Sequence, residues 1–309
     1  MVLKREQFNP DNVMMREAQD GSIPAKYETL VLKEVLQNSK IMQLGKYIDM
    51  GGDLEKNFEV FAKGPGAYWV DEGNRIQTSK AEFLNIKIRA HKLAVILPVS
   101  REYLDYKQSD FFNAMKPRIA EAFYRKFDEA AILNKENPFD FSIDGSVTTA
   151  GNTVTGEINY DNLLAVEDKL LDHDIEANAW INKAQNNTAL RNATKVENGT
   201  TERLYDRSGS VIDGLPFVNL KSDQMTKGDL YAGDFDYLYY GIPGNLKYQL
   251  STDAQLSTIV GTDGKPVNLF EQDMVALRAT MDIAVMIAKD EAFAKLTATA
   301  PTETTDPKA

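Results

Sequence analysis

The 309-residue chain has no cysteine. Disulfides, thiolate metal sites and a cysteine nucleophile are excluded, and the composition suits synthesis in a reducing cytoplasm. Histidine is nearly as scarce, with only His91 and His173. Neither has a second histidine at metal-ligand spacing, and HExxH is absent. His173, between two aspartates, reads as a solvated helix end. No run approaches the roughly eighteen uncharged apolar residues that a membrane helix needs. The opening MVLKREQFNPDNVMM lacks the apolar core and small-residue cleavage site of a secretory signal. The glycosylation-like triplets at Asn186, Asn192 and Asn198 are then chance matches.

Positive charge is in deficit. Lys and Arg number 35 against 46 Asp and Glu, for a net charge of −11. Such a chain does not grip phosphates through a broad basic face. It suits a wall that lies near nucleic acid without holding it, although mild acidity is also ordinary for a soluble protein. The motifs of common catalysts are missing too. There is no GxSxG elbow and no GxGxxG after a strand, and the Gly209–Gly214 spacing is followed by Leu-Pro rather than by Lys and a hydroxyl. Asp234 and Asp236 straddle Phe235 and read as a turn, not a metal pair. Tyr237, Tyr239 and Tyr240 have no interleaved basic residues, so they read as core and rim rather than a base-stacking platform. No carboxylate pair is fixed by spacing beside an apolar pocket, as acid–base work requires. Together these absences argue against an enzyme, and no catalytic, metal or cofactor residue is assigned.

What is present is length in a few elements. In Lys92–Leu133 a β-rich lead-in passes through a polar break into an amphipathic helix. Ser109 with Asp110 is the expected N-cap. Phe112, Met115, Ile119, Phe123, Phe127 and Ala130 recur at helical spacing, giving twenty-five residues and a rod of roughly 37 Å. Pro117 lies inside the run and is expected to kink or split it. Upstream, Phe58, Val60 and Ala62 alternate like a strand before Gly64-Pro65-Gly66. Leu84, Ile86, Ile88 and Ala90 then alternate with Asn85, Lys87, Arg89 and His91, and from Leu93 to Val99 both parities are apolar. The pattern predicts a strand of about 50 Å, half-exposed at first and buried on both faces at its end. A strand so long is read as part of a β-ribbon that reaches for another molecule; the plainer alternative is a hairpin with a bulge near His91. Asn159–Asp172 reads as a second helix, capped by Asn159 or Asp161, with Leu163, Val166, Leu170 and Leu171 apolar. Met274–Ile287 reads as a fourteen-residue strand, since a helical period would put Arg278 and Asp282 on one stripe with Val275 and Val285. Residues 134–157 read as a turn-rich loop, and 196–214 as loop and turn. Between about 177 and 250 short strands and turns make a compact α+β module.

The order of these parts resembles the tailed-bacteriophage major capsid proteins of the Hong Kong 97-like fold, siphovirus type. Trp69-Val70-Asp71-Glu72-Gly73 resembles the V-x-E-G of that family's extended loop, and Leu97-Pro98-Val99-Ser100 with Leu104 its lead-in to the spine helix. Asp213-Gly214-Leu215-Pro216-Phe217-Val218 is similar to its L-x-G-x-P-V-V, and Gly233-Asp234-Phe235 with Tyr240-Gly241 to its G-D-F strand pair. Phe270 to Ala279, with Ala292-Phe293, resembles its closing strand. The match covers roughly residues 27–296.

The resemblance implies an α+β fold with a long spine helix, an extended β-ribbon loop, and peripheral and axial domains. It implies an N-terminal arm at 1–26, a peripheral domain at 27–52, 92–175 and 263–296, an extended loop at 53–91, an axial domain at 176–262 and a disordered tail at 297–309. The implied function is structural: self-assembly as pentamers and hexamers into an icosahedral shell around double-stranded DNA, bound without sequence specificity. Scaffolding and portal proteins are the implied partners, no membrane is involved, and the shell is made in the host cytoplasm as part of the virion. Subunit contacts fall to the loop residues Tyr68, Trp69, Glu72 and Arg75. The loop's EGNRIQ has no lysine before Lys80, so the Lys–Asn cross-link of some relatives is not carried over. The alternative within the fold is an encapsulin-like nanocompartment that stores an enzyme.

Overall fold

The computed structural model describes residues 34–63, 82–197, 200–206, 211–244, 246–260 and 266–298. The expected arm at 1–26, the loop motif with Tyr68, Trp69, Glu72 and Arg75, and the tail beyond 298 lie outside the described residues. Helices are α1 (Lys40–Leu44), α2 (Arg101–Leu133), α3 (Ile143–Ala150), α4 (Tyr160–Leu171) and α5 (Asn187–Asn192). Strands β1 (Lys46–Ile48), β2 (Glu55–Lys63) and β3 (Glu82–Ser100) precede α2. Then come β4 (Thr153–Thr155), β5 (Ala179–Asn182), β6 (Thr194–Glu197), β7 (Thr200–Arg203), β8 (Tyr205–Asp206), β9 (Val211–Ile212) and β10 (Leu215–Asn219). The last are β11 (Leu230–Gly233), β12 (Leu238–Gly241), β13 (Lys247–Ser251), β14 (Gln255–Val260), β15 (Pro266–Asn268), β16 (Met274–Ile287) and β17 (Phe293–Thr297). This is an α+β fold.

The chain forms two compact units, one of residues 1–43, 91–128 and 244–283, the other of 44–90, 129–243 and 284–309. In the second, a seven-stranded sheet runs β4-β17-β11-β5-β10-β9-β8. Every residue of β5 is buried. Its Trp180 is wholly buried, together with Leu163, Val166 and Leu170 of α4, Leu190 of α5, and Leu230, Ala232, Ala294 and Leu296 of the flanking strands. Gly233 of β11 has no room for a side chain, because a Cβ there would lie 2.5 Å from the Phe293 ring. A second sheet follows the path β1-β12-β16-β3-β2, and five of the second unit's own residues, Ile86, Ile88, Met50, Ala284 and Met286, pack together on it. In the other unit β13 pairs antiparallel with β16 from Lys247 opposite Thr280 to Ser251 opposite Ala276, and β14 pairs with β15.

Several expectations hold. Met274–Ile287 is a single strand, with Val275, Leu277, Ala279, Met281, Ile283 and Val285 all buried and Arg278 exposed. Asn159 caps α4, accepting from the Asn162 amide at 2.7 Å. β3 passes through His91 without a break; its register with β2 shifts between Phe61 and Lys63 instead.

Others are corrected. The spine helix does not wait for Ser109: α2 spans 33 residues and starts directly after β3. The reason is tertiary. The Arg101 amide, which a side-chain cap would otherwise have to satisfy, donates to the Asp273 carbonyl at 3.1 Å. Pro117 sits inside α2 without splitting it. The stretch read as a loop after the spine contains α3, whose poor helix formers are held by two caps. Ser142 accepts from the Gly145 amide, and Gly151 closes the helix in the left-handed region at φ 73°. The stretch at 196–214 contains the β6–β7 hairpin and β8 and β9, not loop alone. Leu171 is exposed rather than part of the α4 core face. Thr297, expected to begin the tail, closes β17.

Because Trp180 fills the centre of its unit, Trp180→Ala should cost about 3–5 kcal/mol of unfolding free energy. Urea denaturation followed by circular dichroism measures this; a loss below about 1 kcal/mol would contradict the packing described.

Candidate subunit-contact surface

The ribbon begins at a defined root. β2 and β3 pair antiparallel from Glu55 opposite Arg89 to Phe61 opposite Phe83. At the root Ile86 and Ile88 point into the core while Lys87 and Arg89 face solvent, so this half is one-sided as expected. Glu55 pairs with Lys87 and, at 2.6 Å, with Arg89. These two cations hold its exposed carboxyl below the usual range.

The second half of β3 departs from expectation. Leu93–Val99 is not buried on both faces. Leu93, Val95, Leu97 and Val99 are half-buried, Ala94 is exposed and Ile96 is 48 % exposed. Among the described residues, the apolar residues of the other parity are thus left uncovered, a surface that a monomer would normally make polar. Phe270, which the sequence placed only as the start of the closing-strand motif, is 77 % exposed. Ile259 on β14 is also exposed.

The polar interior is structural rather than catalytic. Asp128, 2 % exposed near the end of α2, receives the Ser39 hydroxyl at 2.6 Å and the amides of Lys40 at 2.8 Å and Ile41 at 3.3 Å. It therefore caps α1 from a distant part of the sequence, a role no local pattern announces. Burial pushes its carboxyl up to about 6, against the pull of those three donors. Lys295 contacts Asp144 at 2.8 Å and Asp229 at 3.5 Å and lies over the Tyr231 ring, while the Tyr231 hydroxyl donates to Asp144. That cluster ties the first turn of α3 to β17 and spends its amine and acids on one another. Glu167 of α4 is pushed up to about 7, first by burial and then by neighbouring Asp213. Asp234 accepts from the amide of Asp236 and the side chain of Asn178, so it is the turn residue its spacing indicated.

A one-sided ribbon on an α+β body, with a spine helix and a fourteen-residue return strand, is the arrangement of the Hong Kong 97-like capsid fold. Residues 21–298 match the phage capsid family, and the chain belongs to that family. It is 54 % identical over 295 residues to the major capsid protein of Staphylococcus phage 80alpha, covering 95 % of this chain and 90 % of that one. A probable major capsid protein of Mycobacterium phage D29 is 26 % identical over 279 residues, covering 85 % of this chain and 86 % of that one. Among solved structures, a chain of Microbacterium phage Oxtober96 superposes with TM-score 0.68 at 24 % identity, covering 84 % of this chain and 91 % of that one. The capsid of an empty GTA particle, computed with C5 symmetry, superposes with TM-score 0.61 at 16 % identity, covering 85 % of this chain and 90 % of that one. At those identities the two structures speak for the fold. The chain is a structural component of the phage virion, a capsid shell protein and not an enzyme. The enzyme-storing compartment, raised by the sequence as an alternative, has only the fold in its favour.

Both Asp128 and Glu167 have folded-state values above their unfolded ones. Each acid is therefore easier to protonate in the folded chain, and stability should rise as pH falls from about 7 towards about 5. Asp128→Asn should flatten that slope around pH 6. Urea midpoints measured across this range test it; a slope unchanged by the substitution would contradict the assignment to Asp128.

Proposed function

We propose that this capsid protein assembles as pentamers and hexamers into an icosahedral shell enclosing double-stranded DNA. The ribbon at 53–91 and the arm at 1–26 lie across neighbouring subunits. The axial part, 176–262, gathers at the centre of each ring, and the peripheral parts, 27–52, 92–175 and 263–296, form the outer body. This partition by role crosses the two compact units, each of which is assembled from several stretches of chain. Tyr68, Trp69, Glu72 and Arg75 make the ribbon's contacts with the next subunit. A scaffolding protein guides closure, a portal protein occupies one vertex, and assembly takes place in the host cytoplasm. The acidic balance, with a net charge of −11, keeps the wall from gripping the DNA it encloses.

The observation that carries this reading is the match to a phage major capsid protein over nearly the whole chain. The uncovered apolar residues of β3 support it, since a neighbour in a ring is the natural cover for a surface repeated on every copy.

Trp69→Ala, or deletion of residues 66–75, should leave the subunit folded, with an unchanged melting curve, and stop shells forming. Electron microscopy of expressed protein reads the outcome. Normal particles from either variant would refute the loop's role.

A further inference from the structure

The turn between β15 and β16 is braced from both sides. The Leu269 amide donates to Ala254 O at 3.1 Å, Phe270 to the Asn268 side chain at 3.2 Å, Gln272 to Asn268 O at 3.2 Å and Met274 to Leu269 O at 2.9 Å. Besides receiving the Arg101 amide, Asp273 has the Arg101 guanidinium 3.7 Å from its carboxylate. Leu269 is wholly buried, yet the next residue, Phe270, is 77 % exposed. A turn fixed by this many bonds holds the ring in solvent as part of its geometry. It forgoes much of the roughly 1.5–3 kcal/mol that covering a phenylalanine provides.

The same compact unit carries a pocket of about 180 Å³ lined by Ile96, Ala254, Leu256 and Ala276, with Gln249, Ser251 and Arg278 on its polar side. An apolar cavity of ~150 Å³ accepts benzene, so the volume suits one aromatic ring. Charge matches as well. Glu271 stands exposed beside Phe270, whereas the neighbouring Asp273 is already met by Arg101. Arg278 is exposed on the pocket wall and donates to Gln249. The projecting ring has an acidic neighbour and the pocket a basic wall.

We infer that Phe270 of one copy seats in the Ile96–Leu256–Ala276 pocket of a second copy of this chain, with Glu271 pairing to Arg278 across the contact. The ring stands beside the pocket on the same unit, since Leu269 next to it bonds Ala254 of the pocket lining. One copy's ring can therefore enter a second copy's pocket while its own pocket receives a third. Such an unreciprocated contact is heterologous and repeats from copy to copy, the kind that closes rings. This rests on the shell reading above and adds to it a contact outside the ribbon and arm.

The absence of cysteine makes the test clean. Gln272→Cys with Ser251→Cys flanks the contact and leaves Phe270 in place. In oxidised particles of the full chain this pair should give a ladder of linked chains that collapses on reduction, and neither single variant should. Glu271→Arg and Arg278→Glu should each lower particle yield about tenfold by placing like charges together, and the two combined should restore it. Melting curves of the unassembled subunits separate a folding defect from a contact defect. Particles that form normally from the cysteine pair without a ladder, or a charge exchange that fails to rescue, overturn the contact. Failure of the wild-type chain to form shells would count instead against the proposed function.

Discussion

The structure depends on a mismatch between the length of its strands and the cover that the described residues give them. β3 runs for nineteen residues, while its register with β2 ends at Arg89. Up to that point the alternation is resolved within the chain: Ile86 and Ile88 are buried against Met50 and Met286, and Lys87 and Arg89 hold Glu55 in water. Beyond it the sequence stays apolar on both parities, but the described residues cover only part of that surface, and Ile96 is left half exposed. An apolar strand that its own fold does not finish is a liability in a monomer and a binding surface in a shell.

Rigid placement of such surfaces needs a well-tied body, and the ties are tertiary. Asp128 caps α1 across a gap of 88 residues to Lys40, and Asp273 supplies the first carbonyl to α2. Lys295 joins β17 to the start of α3 through Asp144. Buried charge is costly unless it is paired and bonded, and here each charge closes a particular junction. The burial that raises the Asp128 and Glu167 carboxyls also gives the subunit a stability that responds to pH in the neutral range.

Periodicity made the longest elements legible. The strand at Met274–Ile287 could be told from a helix because Arg278 and Asp282 would have shared a stripe with apolar residues, and Arg278 is indeed exposed where its neighbours are buried. The core face of the spine helix was readable through Ile119, Phe123, Phe127 and Ala130, all buried. What escaped was set by distant partners. The helix start at Arg101 rests on Asp273 and not on a local cap, so the Ser109–Asp110 pattern misled. α3 is only eight residues long and is written in Ile, Asp, Gly, Ser, Val, Thr and Ala, with Ile143, Ser146 and Val147 supplying its buried face. Apolar composition at Leu93–Val99 announced burial, but burial belongs to the assembled surface, and a sequence does not say which molecule provides the cover. The same limit hid Phe270: its motif was recognisable and its exposure was not.

The central claim is that the outer half of β3 and the turn at 269–273 are completed by other copies. Amide hydrogen exchange, compared between assembled shells and dissociated full-length subunits, measures that directly. The account predicts strong additional protection in the shell over residues 91–100 and in the segments on either side of Phe270, with the buried sheet around Trp180 equally protected in both states. Equal exchange of 91–100 and of the turn in subunit and shell would contradict it.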